Sequence, residues 1–341
     1  MEDLTRVFVD TSKQVFQLHG VNGREEPVLR RKLSRGQFLD FFAGLEPTLV
    51  GLEACGSSHH WAQQLMELGH DVRLIAPQHV KPYVRRGKND AADAEAGCEA
   101  LGRPRTRFVR VKDPQAQAAL MLVSVRDRLI RQRTQLSNAI RGHAAEFGLV
   151  AAKGLDKIAL LLDRVADDET LPALAKDLFA GLSDEWARLS EEIKAIEKAF
   201  LAWHRQNALS RRLATIPAVG PVGACLLVIK APDATAFKSG RDFSAWIGLT
   251  PKDHSTGGKQ RLGRITRAGD ERLRATLVAG ATAVIRQVRI GKSSPWPWLT
   301  QLLKKKPPKL AAVALANKLA RIAWKMMISG EAYDQRRALA A

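Results

Sequence analysis

The stretch LTRVFVDTSKQVFQLH, residues 4–19, decides how the first part of the chain folds. Apolar residues fill two short runs, and the polar residues Thr11–Lys13 separate them. β-branched and aromatic residues on both sides of a polar turn are typical of two neighbouring strands. Asp10 is the only acid in the first run, and it lies where the first predicted strand ends.

Outward from this stretch, predicted strands and helices alternate. Residues 48–56 and 71–77 predict strands, whereas residues 33–42 and 57–69 predict helices. Glu53 is the acid near the end of the strand in 48–56. Strands that alternate with helices along one chain predict an α/β layer fold.

The segment KNDAADAEA, residues 88–96, concentrates acids in a basic chain. Asp90 and Asp93 are three residues apart, so they share one face of a helix, where like charges repel each other. A divalent cation removes this repulsion, and carboxylate oxygens are its preferred ligands. Because ligands gather at strand ends in an α/β sheet, Asp10 and Glu53 are candidates for the same site.

Four carboxylates could hold two Mg²⁺ or Mn²⁺ ions, and such a pair can activate one oxygen and stabilise the leaving oxygen at a phosphodiester. Each acid also has a simpler interpretation. Asp10 could cap a turn, Glu53 could begin a loop, and the acidic pair could be the favourable acids of a helix N-terminus. Composition and spacing alone leave both interpretations open.

Residues 114–208 are predicted to be helical, because glycine is sparse and leucine, alanine and charged residues alternate. Two long helices are expected to form a hairpin whose tip lies within residues 148–172. Apolar residues in the second helix repeat at spacings of three and four, which is typical of a coiled-coil seam. The seam consists of Trp186, Leu189, Ile193, Ile196, Phe200 and Trp203. It could join two copies of the chain, or it could pack inside the antiparallel hairpin.

The charge balance favours an anionic polymer as partner, and nucleic acid is the first candidate. The 341 residues include 54 Lys and Arg against 35 Asp and Glu, which gives a formal net charge of +19. Residues 251–310 hold fourteen of the bases and three of the acids, so most of the excess lies in a short part of the chain. No apolar run reaches membrane-span length and no secretory signal is visible. The 3 scattered cysteines predict reduced thiols in a cytoplasmic protein.

Several segments resemble the DEDD transposases of bacterial insertion sequences. In the first part of the chain they are VDTSK (9–13), LEACGSSHHWAQQL (52–65) and KNDAADAEA (88–96). IPAVGPVGACL (216–226) and residues 243–281, which contain HSTGGK, resemble the C-terminal transposase domain of the same family. The motif order covers most of the chain. It is most similar to the subgroup whose motifs read EACGSAHHWAR and STGGK.

The resemblance implies three parts. Residues 1–113 would form an α/β domain of the ribonuclease H and Holliday-junction-resolvase type, and residues 114–208 a helical coiled-coil segment for linking and oligomerisation. Residues 209–341 would form a mainly α-helical transposase domain with a catalytic serine. The four catalytic, metal-binding acids of the family correspond here to Asp10, Glu53, Asp90 and Asp93. Phe8 stands where we expect a small residue, so it could crowd the sheet.

Family members act as recombinases guided by a noncoding RNA that the mobile element encodes. This RNA pairs with both target and donor DNA. The resemblance therefore implies target DNA, donor DNA and the guide RNA as partners of a homo-oligomer, either a dimer or a tetramer. It also implies a cytoplasmic protein that associates with the nucleoid when it is active.

The run His254–Ser255–Thr256–Gly257 departs from the family, because many members have two serines before the glycine. Ser255 is the predicted nucleophile, and Thr256 is the alternative. A serine that attacks phosphorus forms a covalent phosphoserine and conserves bond energy for rejoining. Positive charge must then stabilise the phosphorane. The predicted nucleic-acid-binding residues after the serine are Lys259, Arg261, Arg264 and Arg267.

The sequence favours a DNA transposase that cuts and rejoins strands through the acidic site and Ser255. Without the resemblance, STGGK could be a turn with basic neighbours. No histidine or carboxylate near Ser255 has the spacing of a catalytic triad, so its base is expected from the acidic site. One rival is a resolvase-like metal-dependent nuclease that uses water, and another is a non-catalytic nucleic-acid-binding protein. Covalent protein–DNA adducts distinguish the first two, and strand cleavage distinguishes both from the third.

Overall fold

The computed structural model describes residues 4–84, 89–291 and 296–334. The chain divides into two compact units, Met1–Gln117 and Ala118–Ala341. The first is a mixed α/β unit built on a sheet, and the second is mostly helical.

A six-stranded sheet with the order β3-β2-β1-β4-β5-β6 forms the first unit. The strands are β1 (Arg6–Asp10), β2 (Val15–Val21), β3 (Pro27–Ser34), β4 (Leu49–Glu53), β5 (Asp71–Ile75) and β6 (Phe108–Val109). β1 pairs with β2 in the antiparallel sense, and β1, β4 and β5 are parallel neighbours. Val9 of β1 lies opposite Leu52 of β4, so Asp10 and Glu53 come next at the same edge of the sheet.

Helices cover both faces of this sheet. They are α1 (Phe38–Ala43), α2 (Ser58–Glu67), α3 (Pro77–Val80) and α4 (Asp90–Leu101). Side chains alternate across β1, because Val7 and Val9 pack in one core with α1 and α2, whereas Phe8 packs in another core with α4. The predicted α/β layer is therefore confirmed, and it is consistent with a ribonuclease H-like DEDD fold.

The helix predicted over residues 33–42 is confirmed only from Phe38 onward, and its predicted start at Leu33 is wrong. Leu33 belongs to β3, where it pairs with Phe16 of β2, and the helix begins only at Phe38. Leu33, Phe38 and Phe42 are all buried at spacings close to a helical repeat. Strand pairing overrides this local pattern, because β3 gains a ladder of backbone hydrogen bonds along β2.

Two long helices begin the second part of the chain. The elements are α5 (Pro114–Glu146), α6 (Asp156–Asp167) and α7 (Ala173–Gln206). Ile140 of α5, Leu161 of α6 and Ile193 of α7 belong to one buried core. Arg126 of α5 also donates a hydrogen bond of 2.8 Å to Glu197 of α7. The predicted helical hairpin is confirmed, and α6 fills its tip.

The apolar seam of α7 packs within the chain. Trp186, Leu189, Ile193 and Ile196 contact the core shared by α5, α6 and α7. Leu189 and Ile193 are each only 2% exposed. A coiled coil is not confirmed, since Leu189 and Ile193 are already covered by other residues of the same chain.

The remaining elements surround the largest core. They are α8 (Ala208–Leu213), α9 (Pro221–Lys230), α10 (Gly240–Ile247), β7 (Pro251–Asp253), β8 (Leu262–Ile265), α11 (Glu271–Arg289), α12 (Pro297–Lys305) and α13 (Pro308–Ser329). A Cβ on Gly280 of α11 would lie 2.1 Å from the carbonyl oxygen of Ala218, so glycine is needed where the loop before α9 crosses α11. None of the described helices has the length and apolarity required to cross a bilayer.

Candidate active site

Three of the predicted acids meet at one edge of the sheet. Asp10 is the last residue of β1, Asp90 is the first residue of α4, and Asp93 lies in the first turn of that helix. One carboxylate oxygen from each lies within 4.8 Å of the others. Asp10 and Asp93 are partly buried, whereas Asp90 is exposed. This arrangement can hold a metal ion between strand and helix while leaving one side open to solvent.

Glu53, the fourth predicted acid, lies at the margin of this cluster. It ends β4, beside the end of β1, and it is not among the three residues that lie within 4.8 Å of one another. Its charge nevertheless raises the pKa of Asp10, and the charge of Asp93 adds to burial in raising the pKa of Glu53. Glu53 is therefore close enough to the aspartates to couple with them electrostatically.

Packing between α4 and β1 fixes the position of the aspartates. Asn89 caps α4 by accepting a hydrogen bond of 2.8 Å from the backbone N–H of Ala92. Lys88, which precedes this cap, lies outside the described residues. Gly97, one turn after Asp93, rests on Phe8, and a Cβ at that glycine would lie 2.1 Å from the ring.

Phe8, the departure from the family pattern, therefore has a specific place in the sheet. The ring occupies space that side chains at Gly97 and Gly51 would otherwise fill, since a Cβ at Gly51 would also lie 2.7 Å from it. Because neither glycine has a side chain, the ring of Phe8 fits between them. The expected crowding is thus relieved, and α4 still approaches β1 closely enough to bring Asp93 to Asp10.

The carboxylates of the acidic cluster repel one another electrostatically. Burial, followed by the charges of Asp90, Asp93 and Glu53, raises the pKa of Asp10 to about 6. Among the described residues, no lysine, arginine or histidine forms an ion pair with any of the four acids. Converging carboxylates without a basic partner fit a divalent cation, because oxygen ligands with net negative charge are what it binds best.

Ser255 lies in the hairpin formed by β7 and β8. Thr256 and Lys259 exchange two backbone hydrogen bonds, of 3.0 and 3.3 Å, across Gly257 and Gly258. Both glycines have positive φ, 55° and 77°, as a two-residue type I′ turn requires. The glycines therefore close a tight turn, and Ser255 stands one residue before it.

Hydrogen bonds to two neighbours hold Ser255 in place. Its Oγ accepts a hydrogen bond of 3.0 Å from the backbone N–H of Arg261 on the opposite arm of the hairpin. The backbone N–H of Ser255 donates to Asp253 Oδ1 at 2.9 Å. Hydrogen bonds from the hydroxyl and then from the backbone N–H of Ser255 lower the pKa of Asp253. The carboxylate of Asp253 therefore accepts hydrogen bonds from Ser255.

Asp253 was missed in the sequence, where no local carboxylate was assigned to Ser255. The signal was present as an aspartate two residues before a serine, because Asp side chains commonly hydrogen-bond the backbone two residues on. A search for triad-like spacing overlooks such a short-range contact. The structure thus brings Asp253 to Ser255 in addition to the residues that were predicted.

The four predicted basic residues lie on the same hairpin or just after it. Lys259, Arg261, Arg264 and Arg267 are all exposed. Arg267 adopts a positive φ of 57°, and its N–H donates to the carbonyl of Gly248 at 3.2 Å. Thr266 similarly donates to Thr250 at 2.8 Å. These bonds fix the base of the hairpin to the end of α10, so its basic arms have a defined position.

Comparison with known proteins identifies both halves of the chain. Residues 7–147 match the model of the DEDD transposase domain of IS110, and residues 210–294 match the transposase IS116/IS110/IS902 family. A transposase of Sinorhizobium fredii, y4pF/y4sB, is 61% identical over 98% of this chain and 87% of its own length. The family 20 transposase of Pseudomonas aeruginosa is 47% identical over 95% of this chain and 97% of its own length. The transposase for insertion sequence element IS1328 of Yersinia enterocolitica is 35% identical over 98% of this chain and 100% of its own length.

These similarities account for the observations in the first unit. A DEDD-type transposase domain implies a divalent metal cation, for which the cluster of Asp10, Asp90 and Asp93 supplies the oxygen ligands. A transposase also implies DNA substrates, which suit a chain with a net charge of +19. The chain belongs to the IS110 family of insertion-sequence DNA transposases.

Proposed function

We propose that this transposase cuts and rejoins DNA through two groups of residues, the acidic site and Ser255. Asp10, Glu53, Asp90 and Asp93 would hold Mg²⁺ or Mn²⁺. Ser255 would carry the cleaved strand as a phosphoserine. The observation that carries the proposal is the approach of Asp10, Asp90 and Asp93 to within 4.8 Å without a basic partner among the described residues.

The bound cation would supply Lewis-acid stabilisation of negative charge on phosphodiester oxygens. The residues of the chain contribute position and charge. β1 fixes Asp10 and the cap at Asn89 fixes the start of α4, so the carboxylates keep their places without substrate. Partial burial of Asp10 and Asp93 keeps competing water away from one side of the site.

At Ser255, the proposed step forms a bond between Oγ and phosphorus and breaks the bond between phosphorus and one backbone oxygen of DNA. The hydroxyl proton passes to a carboxylate, and the leaving oxygen takes up a proton to become a free hydroxyl. Asp253 is the acceptor nearest in the chain, which supports it as the group that orients the hydroxyl. The acidic site of the first unit is the base expected from the sequence, and we retain it as the group that acts once DNA is bound.

The basic residues of the hairpin are proposed to stabilise the phosphorane and to hold the DNA backbone. Exposure of Lys259, Arg261, Arg264 and Arg267 supports this role, because each guanidinium or ammonium group is accessible to a phosphate. Arg261 contributes twice, since its backbone N–H also binds Ser255 Oγ. A negative charge that develops near this oxygen would thus meet a donor already in place.

We further propose that an element-encoded guide RNA pairs with target and donor DNA, and that the chain works as a homo-oligomer, a dimer or a tetramer. The net charge supports two polyanionic partners. Leu174 and Leu178, one turn apart on α7, are 71% and 63% exposed, which supports a contact between copies at the tip of the helical hairpin.

The acidic half of the proposal is tested by replacing Asp90 with Asn in the purified protein. Asp90 is exposed, so the fold should persist. Strand exchange on DNA should fall at least about a thousandfold, whereas nucleic-acid binding should stay within about twofold. Asp184→Asn on the exposed face of α7 is the matched control. Full activity of Asp90→Asn would contradict the proposal.

A further inference from the structure

A cavity of about 630 Å³ lies in the second unit, between α10, the last turns of α13 and the residues that follow. Its walls combine four cations with two aromatic side chains. They are Arg241, Lys318, Arg321, Lys325, Trp324 and Tyr333. The proposed reaction at Ser255 and at the acidic cluster uses none of these residues.

The cations lie on one face of α13. Lys318, Arg321 and Lys325 are spaced by three and four residues, so they share one side of the helix. Within the described part of the chain none of the three forms an ion pair with a carboxylate. Burial, and then the charge of Arg321, lowers the pKa of Lys318. Like charges concentrated in this way destabilise a free helix and favour an anionic ligand.

The apolar wall has a fixed shape. Trp324 is partly exposed, and its Nε1–H donates a hydrogen bond of 3.0 Å to the carbonyl of Ala234, which holds the indole in place. Gly240 at the start of α10 approaches α13 so closely that a Cβ there would lie 3.2 Å from Arg321 Cα. The cavity is therefore formed by backbone packing, not only by mobile side chains.

Two acids, Glu331 and Asp334, also line the cavity, so it is not a simple cationic surface. Its positive charge belongs to α13 and Arg241, whereas the two acids belong to the residues that follow α13. A small inorganic anion would use the cations and leave the aromatic wall without a function. A nucleotide uses both, because its phosphate binds cations and its base stacks on aromatic rings.

We propose that this cavity binds one unpaired nucleotide of single-stranded RNA or DNA. Its phosphates would lie against Lys318, Arg321 and Lys325, and its base against Trp324 and Tyr333. A base within a duplex cannot enter, because its faces are covered by stacking and its edge by pairing. The cavity would thus distinguish unpaired from paired nucleic acid, which goes beyond the strand-transfer chemistry proposed above and does not depend on it.

The test measures binding of the full chain to labelled single-stranded RNA, single-stranded DNA and duplex DNA by fluorescence anisotropy at several salt concentrations. The variant Arg321→Gln/Lys325→Gln removes two cations one turn apart on α13. Lys194→Gln/Lys198→Gln removes two exposed cations with the same spacing on α7 and is the control. Circular dichroism and thermal unfolding confirm that both variants are folded.

We expect the cavity variant to bind single strands about tenfold more weakly than the control. The slope of log affinity against log salt should decrease by roughly 1.4, since each phosphate contact on a single strand contributes about 0.7. Duplex affinity should equal that of the control. Tyr333→Leu should weaken single-strand binding about fivefold or more, whereas Tyr333→Phe, which keeps the ring, should not.

If the cavity variant lost affinity only for single-stranded RNA, or only for single-stranded DNA, the result would support the proposal and identify which strand supplies the nucleotide. Equal binding of both single strands by the cavity and control variants would overturn it, and would indicate another occupant of the cavity. If the cavity variant lost as much affinity for duplex DNA as for single strands, the proposal would also be overturned, because the cations would then act as a general electrostatic surface. Neither result depends on cleavage, so failure here is distinct from failure of the proposed reaction.

Discussion

Phe8 and Gly97 set the distance between the helix that carries two of the acids and the strand that carries Asp10. The two residues lie in different elements, and the absence of a side chain at Gly97 makes room for the ring of Phe8. Asp93 precedes Gly97 by one helical turn, so a shift at this contact moves the carboxylate directly. At the scale of single residues, the candidate metal site therefore depends on a packing contact that involves no acid.

Gly97→Ala should destabilise the protein and weaken metal binding. The added methyl group would collide with Phe8, and overpacking of this kind costs about 1–3 kcal/mol, more than the roughly 1 kcal/mol that alanine gains in a helix. Thermal unfolding and calorimetric Mn²⁺ titration are the measurements. Phe8→Val should restore both properties in the double variant. If Gly97→Ala changed neither thermal stability nor Mn²⁺ affinity, the contact between Gly97 and Phe8 would not position α4.

Metal affinity should depend on pH through Asp10. In the metal-free protein the pKa of Asp10 is about 6, above its ordinary value, so a proton competes with the cation below that pH. Affinity for Mn²⁺ should therefore rise as pH increases from about 5 to 7 and then level off. The metal-free folded state also binds more protons than the unfolded chain between pH about 4 and 6, so its stability should fall as pH rises through this window.

Calorimetry at several pH values, together with thermal unfolding in a chelator, measures both effects. Asp10→Asn should bind metal more weakly and lose the step near pH 6. Asp184→Asn should retain it. A pH-independent affinity in the unmodified protein would contradict the charge coupling among the four acids.

At the scale of elements, the β7–β8 hairpin is the part of the molecule whose geometry matters most for the serine. Gly258 adopts a φ of 77°, a conformation that β-branched residues avoid. Gly258→Val should therefore distort the turn and reduce strand transfer at least about tenfold, whereas melting temperature should change little because residues 251–263 are exposed. Gly258→Asn should retain activity, since asparagine tolerates positive φ. Comparable activity of the Val and Asn variants would exclude a role for the turn.

The helical hairpin leads to a prediction about assembly. Leu174→Glu/Leu178→Glu should shift sedimentation of the protein toward the monomer, because it places two charges on an exposed apolar face of α7. Met121→Glu on α5, at a side chain that is 67% exposed, is the control. Ile193→Asp is unsuitable, since this side chain is 2% exposed and the variant should unfold. An unchanged oligomer in the leucine variant would assign self-association to another surface.

Local patterns predicted most elements but not those set by distant partners. β1, β2, β4, β5 and α2 follow directly from apolar runs and turn residues, as does the hairpin of long helices. β3 was missed because Leu33 becomes part of a strand only through pairing with β2. The seam of α7 was ambiguous for a similar reason, since its periodicity cannot distinguish α5 of the same chain from a second copy.

Within the candidate site, some contacts could likewise be predicted from the sequence and others could not. Asp10, Glu53, Asp90 and Asp93 were predicted to converge, and all of them except Glu53 lie within 4.8 Å of one another. Asp253 was missed because its link to Ser255 is a short-range hydrogen bond without a distinctive spacing. The accommodation of Phe8 by Gly97 could not be predicted, because it requires the orientation of α4 on the sheet.

At the scale of the whole molecule, the chain combines an acidic site with a large excess of positive charge. The formal net charge of +19 attracts nucleic acid over long distances, whereas the four acids repel it unless a cation is bound. Raising the salt concentration from 50 to 200 mM should therefore weaken DNA binding by roughly a hundredfold or more. Binding by electrophoretic mobility shift that hardly changes with salt would contradict a mainly electrostatic association.

The most direct test of the central claim is the covalent adduct between Ser255 and DNA. Reactions with Mg²⁺ are stopped midway by denaturation, and protein carrying labelled DNA is separated and mapped by mass spectrometry. The unmodified chain and Thr256→Ala should form the adduct on the peptide that contains Ser255, whereas Ser255→Ala and Asp93→Asn should form none. An adduct that persists in Ser255→Ala and disappears in Thr256→Ala would assign the nucleophile to Thr256. Cleaved ends without any adduct in the unmodified protein would contradict the account and establish water as the nucleophile.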